Sequence, residues 1–317
     1  MATATSQPIA LERLPRSRSF RPWRSERLIP VLMVAPSLVL VAIFVYFFIA
    51  RTAFSSLTRW SGVVPDNTFV GLRNYLNANG TGIFQLERFQ ADLVNTLHFT
   101  VFFLIGCLLL GLGAAVLLDQ RLRGTILFQN IFMYPLAISF VVTGTVWRWI
   151  FNPFYGLNVL LDNLHLGFLK SGWLSDTNTA LNSLVIAAVW QMSGFCMAMF
   201  LAGLRGIPDD LREAARVDGA TEWQAFRHVI FPLLRPITLS AIIILGHISL
   251  KIFDLVYVMT FGGPGYATDM PGLYMFIASF RQSLFARGAA IATILLLSVA
   301  VLIVPYLVWN LRGETER

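Results

Sequence analysis

Residues 31–50 contain no charged side chain, and further apolar runs follow at 96–118, 126–147, 181–204, 237–259 and 289–311. About 20 apolar residues in a helix match the hydrocarbon thickness of a bilayer, and a backbone crossing lipid must satisfy its own hydrogen bonds, which a helix does. Six such runs predict an all-α, polytopic membrane protein with six transmembrane helices. Composition agrees, since 56% of the 317 residues are hydrophobic and only 13% charged, against about 25% charged in an ordinary soluble domain. The first run is longer than the roughly 7–15 residues of a signal-peptide core, so it reads as an uncleaved span.

Topology follows from where the basic residues lie. The chain carries 24 Lys plus Arg against 17 Asp plus Glu, a net charge of +7. Residues 1–30, with Arg13, Arg16, Arg18, Arg21, Arg24 and Arg27 among prolines, read as a disordered tail that anchors the first span by the positive-inside rule. A nucleic-acid-binding arm is the alternative, set aside because the arginines directly precede an apolar run. Alternating the loops puts that tail, Arg121, Arg123, Arg205, Arg212, Arg216, Arg227, Arg235 and the tail at 312–317 on the richer, cytoplasmic side. Residues 51–95 and 149–179 then form outer loops, rich in turn residues. The apolar segment 273–285 is too short to cross and contains Arg281, so it is expected to be re-entrant or interfacial on the outer side.

The cytoplasmic segment 207–236 (IPDDLREAARVDGATEWQAFRHVIFPLLRP) reads as two short helices. Pro208 suits a first helical position, and Asp209 and Asp210 complement the positive helix end. Leu211, Ala214, Ala215 and Val217 make an apolar side, and Gly219 supplies a left-handed stop. Thr221 and Gln224 stand at capping-box spacing before Trp223, Phe226 and Ile230, and Pro232 and Pro236 end the second helix. Two readings stand: a hairpin packed on its own membrane domain, or one docked in a groove of another protein.

The motif Glu213, Ala214, Ala215, Asp218, Gly219, Ala220, followed by Gln224, Phe226, Ile230 and Pro232-Leu233-Leu234, resembles the EAA loop of permease subunits of binding-protein-dependent ABC importers. Residues 69–75 (FVGLRNY), Asn95-Thr96, 147–158, Trp190 and 260–265 (TFGGPG) fall in the order of the carbohydrate-uptake permeases, similar to the larger maltose permease subunit and its sugar and glycerol-phosphate relatives. The extra spans and large outer domain of that maltose subunit are missing here, so only the common six-span core carries over. The resemblance implies a type I permease fold over 31–311, with 207–236 as the coupling loop on the ATPase. It also implies a second homologous permease, two ATP-binding subunits that hold ATP and Mg, and an extracytoplasmic solute-binding protein. The setting it implies is a bacterial-type cytoplasmic (inner) membrane, with both termini cytoplasmic and membrane lipid around the spans. This chain is then expected to need no cofactor of its own and to bind no nucleic acid.

The residues exclude other chemistries. No G-x-x-x-x-G-K-[ST] phosphate loop occurs, and the lysines are Lys170 and Lys251, so the chain is not an ATPase. H-E-x-x-H and G-x-S-x-G are absent, and His98, His165, His228 and His247 are dispersed. Cys107 and Cys196 sit in apolar runs and read as packing residues. A proton- or sodium-coupled carrier stays open on Lys251 and Asp254, expected on one face of span five with His247 and Ser240, either as a structural pair or in contact with substrate or protons. In the family the pathway is lined by the spans flanking the EAA loop, which implies Trp190, Gln191, Ser193 and Phe195 in span four and His247, Ser249 and Ile252 in span five. Aromatic faces with amides and hydroxyls suit a sugar, although aromatics at this spacing also serve plain packing.

Overall fold

A computed structural model describes residues 25–120 and 124–315, and within them the chain is almost entirely helical. The predicted anchor arginines of residues 1–24, together with Arg121, Arg123 and residues 316–317, lie outside the described residues. The described residues divide into two units between Ala50 and Arg51. The first holds α1 (Ser25–Val41), a π-helical turn (Ala42–Phe47) and the start of α2 (Phe48–Ser56), whose residues from Arg51 on belong to the second. Helix thus begins ahead of the expected boundary at 31, with Pro30 and Pro36 inside it.

The second unit contains α3 (Glu87–Asp119), α4 (Thr125–Met133), α5 (Phe140–Ile150), α6 (Leu157–Asn163), α7 (Ala180–Arg205), α8 (Asp209–Val217), α9 (Glu222–Ala225), α10 (Phe231–Leu233), α11 (Arg235–Leu250), α12 (Asp254–Met259), α13 (Pro271–Phe276) and α14 (Phe285–Thr315). Among the described residues four helices are long and apolar enough to cross a membrane, or up to six if each of two bent pairs is one span. The bent pairs are residues 125–137 with 140–150, at 100°, and 222–233 with 235–250, at 61°.

α7 is the central helix, 72% buried over its most apolar stretch against 6% for α14. It packs along α3, where Phe99, Phe103, Cys107, Ala114 and Leu118 recur at helical spacing and bury against Leu184, Ala188, Cys196, Met197, Phe200 and Leu204 of α7. Both cysteines are free and buried, as packing residues would be. The outer faces of α3 stay apolar and exposed at Leu97, Leu109 and Leu117, as expected of a helix whose other neighbour is lipid. α13 and the turn after it pack on α14, and Tyr274 and Ala278 join a second core with Ile83, Phe89, Ala290 and Ile291. The segment expected to be re-entrant or interfacial is therefore helical only in part, and its first half is buried against protein.

The expected third span is two helices with a break at Ile138 and Ser139. Backbone leaving a helix in an apolar setting needs new partners. Ser139 caps α5, its Oγ accepting from the Val142 N–H at 3.3 Å, and Gln191 on α7 donates from Nε2 to the Ile138 carbonyl at 2.7 Å. Gly194, one turn on, lets α4 approach, because a Cβ there would collide with the Phe132 carbonyl.

Candidate functional site

A cleft of about 800 Å³ opens between α3, α4, α5 and α7. Its walls follow from helical periodicity. His98, Phe102, Gly106 and Leu110 line one edge of α3, and Asn182, Ile186, Trp190 and Ser193 line the facing edge of α7. The His98 Nε2–H donates to Asn182 Oδ1 at 2.8 Å, and His98 stacks on Phe102 with ring centroids 4.5 Å apart. Trp190 is 39% exposed and meets Trp147 of α5 edge-on at 5.8 Å. Behind Trp147 stand Phe151 and Trp173, each ring 5.0 Å from the next. The result is an aromatic wall with one imidazole, one amide and one hydroxyl, able to stack on a flat apolar face and hydrogen-bond its rim.

Trp190 and Ser193 are the expected pathway residues that reach this cleft. Gln191 does not: it is buried and spent on the Ile138 carbonyl, with its Oε1 lacking a partner. Phe195 packs against the main core. Ser249 is buried and accepts from Thr100 Oγ1 at 2.9 Å, tying α11 to α3, and Ile252 is buried as well. His247 stays outside the cleft, half-buried, its Nδ1 without a hydrogen-bond partner.

The expected ionisable stripe is not continuous. α11 ends at Leu250, Lys251 is its C-cap and Asp254 opens α12, so the chain turns between them and the i, i+4, i+7 spacing places no common face. Both residues are exposed, and neither has an ion-pair partner among the described residues.

At the other end of α7 the hairpin 209–233 has the local structure its residues dictate. Pro208 is the N-cap rather than the first helical residue, and Asp209 and Asp210 occupy the first turn. At the C-terminus the Ala220 N–H reaches the Ala215 carbonyl and the Gly219 N–H the Arg216 carbonyl, both at 3.0 Å. With Gly219 at φ +80° this is a Schellman stop, which explains why a glycine follows Asp218. The capping box forms, with Thr221 Oγ1 accepting from Gln224 N–H at 3.3 Å and Gln224 Oε1 from Thr221 N–H at 2.8 Å. The second helix runs on through a π turn and Pro232, bending only at Leu234. Of the expected apolar side of α8 only Ala215 is buried; Val217 is 87% exposed, and Glu213, Ala214 and Asp218 are exposed too.

Residues 107–312, which include this hairpin, match the family described as binding-protein-dependent transport system inner membrane component. The chain belongs to that family. It is thus a permease subunit of a binding-protein-dependent ABC importer, a multi-pass membrane component without a catalytic role, and the ion-coupled carrier is set aside. A probable ABC transporter permease protein of Pyrococcus horikoshii is 44% identical over 285 residues, covering 90% of this chain and 96% of that protein. The xylose/arabinose import permease protein of Haloferax volcanii is 36% identical over 275 residues, covering 86% and 84%. The trehalose/maltose transport system permease protein of Thermococcus litoralis is 33% identical over 277 residues, covering 87% and 91%. The permease fold is shared with a chain in the crystal structure of a bacterial ABC transporter involved in the import of the acidic polysaccharide alginate, with TM-score 0.75 at 20% identity, covering 92% of this chain and 96% of that one.

Proposed function

We propose that this permease translocates a carbohydrate delivered by an extracytoplasmic binding protein, and that its 207–236 hairpin is the coupling loop seated on an ATP-binding subunit. The observation that carries the coupling role is the surface of the hairpin. Glu213, Val217 and Trp223 stand exposed there, Trp223 at 66%. Large apolar groups beside a carboxylate on a rigidly capped hairpin suit a protein groove. Glu213, Ala214, Ala215, Asp218, Gly219 and Ala220 form the contact and its turn. The aromatic cleft supports the cargo class, as do relatives named for pentoses and for trehalose or maltose.

The full assembly in this reading pairs the chain with a second, homologous permease and two ATP-binding subunits, which hold ATP and Mg. It sits in a bacterial-type cytoplasmic membrane, with a six-span domain over 31–311 and both termini in the cytoplasm. ATP-driven closure of the ATPases draws the hairpins together and rocks the permeases from inward- to outward-facing, and the sugar passes on reopening.

The test is uptake of xylose, arabinose, maltose and trehalose by proteoliposomes holding the complete transporter, with ATP inside and a protonophore present. Glu213→Lys and Gly219→Val should abolish uptake and weaken copurification of the ATPase, the first by placing like charges together and the second by straining the turn. Normal uptake and copurification with both variants would falsify the docking role.

A further inference from the structure

We propose that Arg212 is the positioning residue that makes α8, the first helix of the hairpin, move as one body with α3 and α7, a role that rests on the hairpin being the coupling loop. Its guanidinium donates from Nη1 to Asp119 Oδ2 at 2.8 Å and from Nη2 to the Leu204 carbonyl at 3.1 Å. Three elements meet there: Arg212 lies on α8, Asp119 is the last residue of α3, and Leu204 is in the last turn of α7. A planar fork engages two acceptors on two helices at once, which an ammonium point charge does not.

A cation with several donors suits both acceptors. A carboxylate at a helix C-terminus faces the negative end of the helix dipole, and the last turn of α3 holds no basic residue of its own. The Leu204 carbonyl, in the final turn of α7, takes the Ile207 N–H at 3.3 Å, and its second lone pair is open to a side-chain donor. Arg212 answers both, and the pair is largely shielded, with side-chain exposures of 26% for Arg212 and 16% for Asp119.

Ala215 is the one buried residue of α8, and the covalent route from α7 to α8 runs through Gly206–Pro208, outside any helix. Leu118 and Leu204, next to the two acceptors, share the main core. A displacement applied to α8 therefore reaches both long helices through Arg212. Ile230 and Leu234 fix the second helix of the hairpin to the main core, so without Arg212 it is α8 that loses its direct tie to the ends of α3 and α7.

Spin labels on cysteines at positions 117 and 210, both exposed, measure this in the assembled transporter, since Cys107 and Cys196 are buried and stay unlabelled. One narrow separation is expected both nucleotide-free and trapped with ATP and vanadate. Arg212→Met should keep the ATPase bound yet widen the distribution and lengthen it on trapping. Arg212→Lys should fall between, and Arg212→Asp with Asp119→Arg should narrow it again. A narrow, unchanged distribution in Arg212→Met overturns the proposal. So does loss of the ATPase from both Arg212→Met and Arg212→Lys, because Arg212 then builds the docking surface instead of linking it. Failure of the coupling reading shows separately, as a Glu213→Lys transporter that keeps its ATPase.

Discussion

Arg88 donates from Nε to Asp269 Oδ2 at 2.6 Å, joining positions 181 residues apart. The guanidinium lies 4.3 Å from the Tyr274 ring centroid and 4.9 Å from that of Tyr266, and Asn95 on the same helix donates to the Tyr266 and Asp269 carbonyls at 2.8 and 3.0 Å. The first turns of α3 thus hold the 260–270 loop. Burial pushes the Asp269 carboxyl up from its ordinary value, and Arg88 works against that shift.

This cluster predicts an asymmetry. Asp92 is fully buried with neither carboxylate oxygen hydrogen-bonded, so Arg88→Met leaves two buried carboxyls without their cation, at a cost of about 3–5 kcal/mol. Asp269→Asn removes one of those carboxyls and leaves Arg88 its two rings and Asp92, so it should cost clearly less. Thermal unfolding of the purified transporter in detergent reads both, and equal losses would contradict the account.

Neighbouring residues on α7 should behave differently. Trp190→Ala opens the aromatic wall and should lower carbohydrate uptake about tenfold with assembly intact, while Trp190→Phe keeps most of it. Gln191→Leu strands the Ile138 carbonyl, costing about 1–3 kcal/mol of stability. Uptake assays paired with thermal melts separate the two, and a purely structural effect at Trp190 would count against the cleft as the pathway.

Orientation has a direct readout. With both native cysteines buried, Arg216→Cys should react with an impermeant maleimide only from the cytoplasmic side. Val63→Cys, at a site 88% exposed, should react only from outside. The reverse pattern would place the hairpin away from ATP.

The capping box predicts a local effect. Thr221→Ala should cost about 1 kcal/mol and speed amide exchange over residues 222–226 about fivefold, leaving α3 and α7 unchanged, and Thr221→Ser should restore protection. Unaltered exchange in Thr221→Ala would mean that tertiary contacts, not the cap, hold α9.

The sequence by itself determined whatever depends on neighbours within a few residues. Span positions on α3, α7 and α14, the stop at Gly219 and the cap at Thr221 are set by helical periodicity and by donors and acceptors three to five positions apart. The tertiary structure decided the rest. His98 finds Asn182 across 84 residues and Arg212 finds Asp119 across 93, distances at which spacing carries no signal. Gln191 reads as a polar pathway residue until the break at Ile138 supplies a carbonyl to satisfy. Lys251 and Asp254 read as one helical face until the helix ends between them. For His98, Arg212 and Gln191 the deciding partner lies far along the chain and packing alone brings it there, while for Lys251 and Asp254 it is the end of α11 that decides.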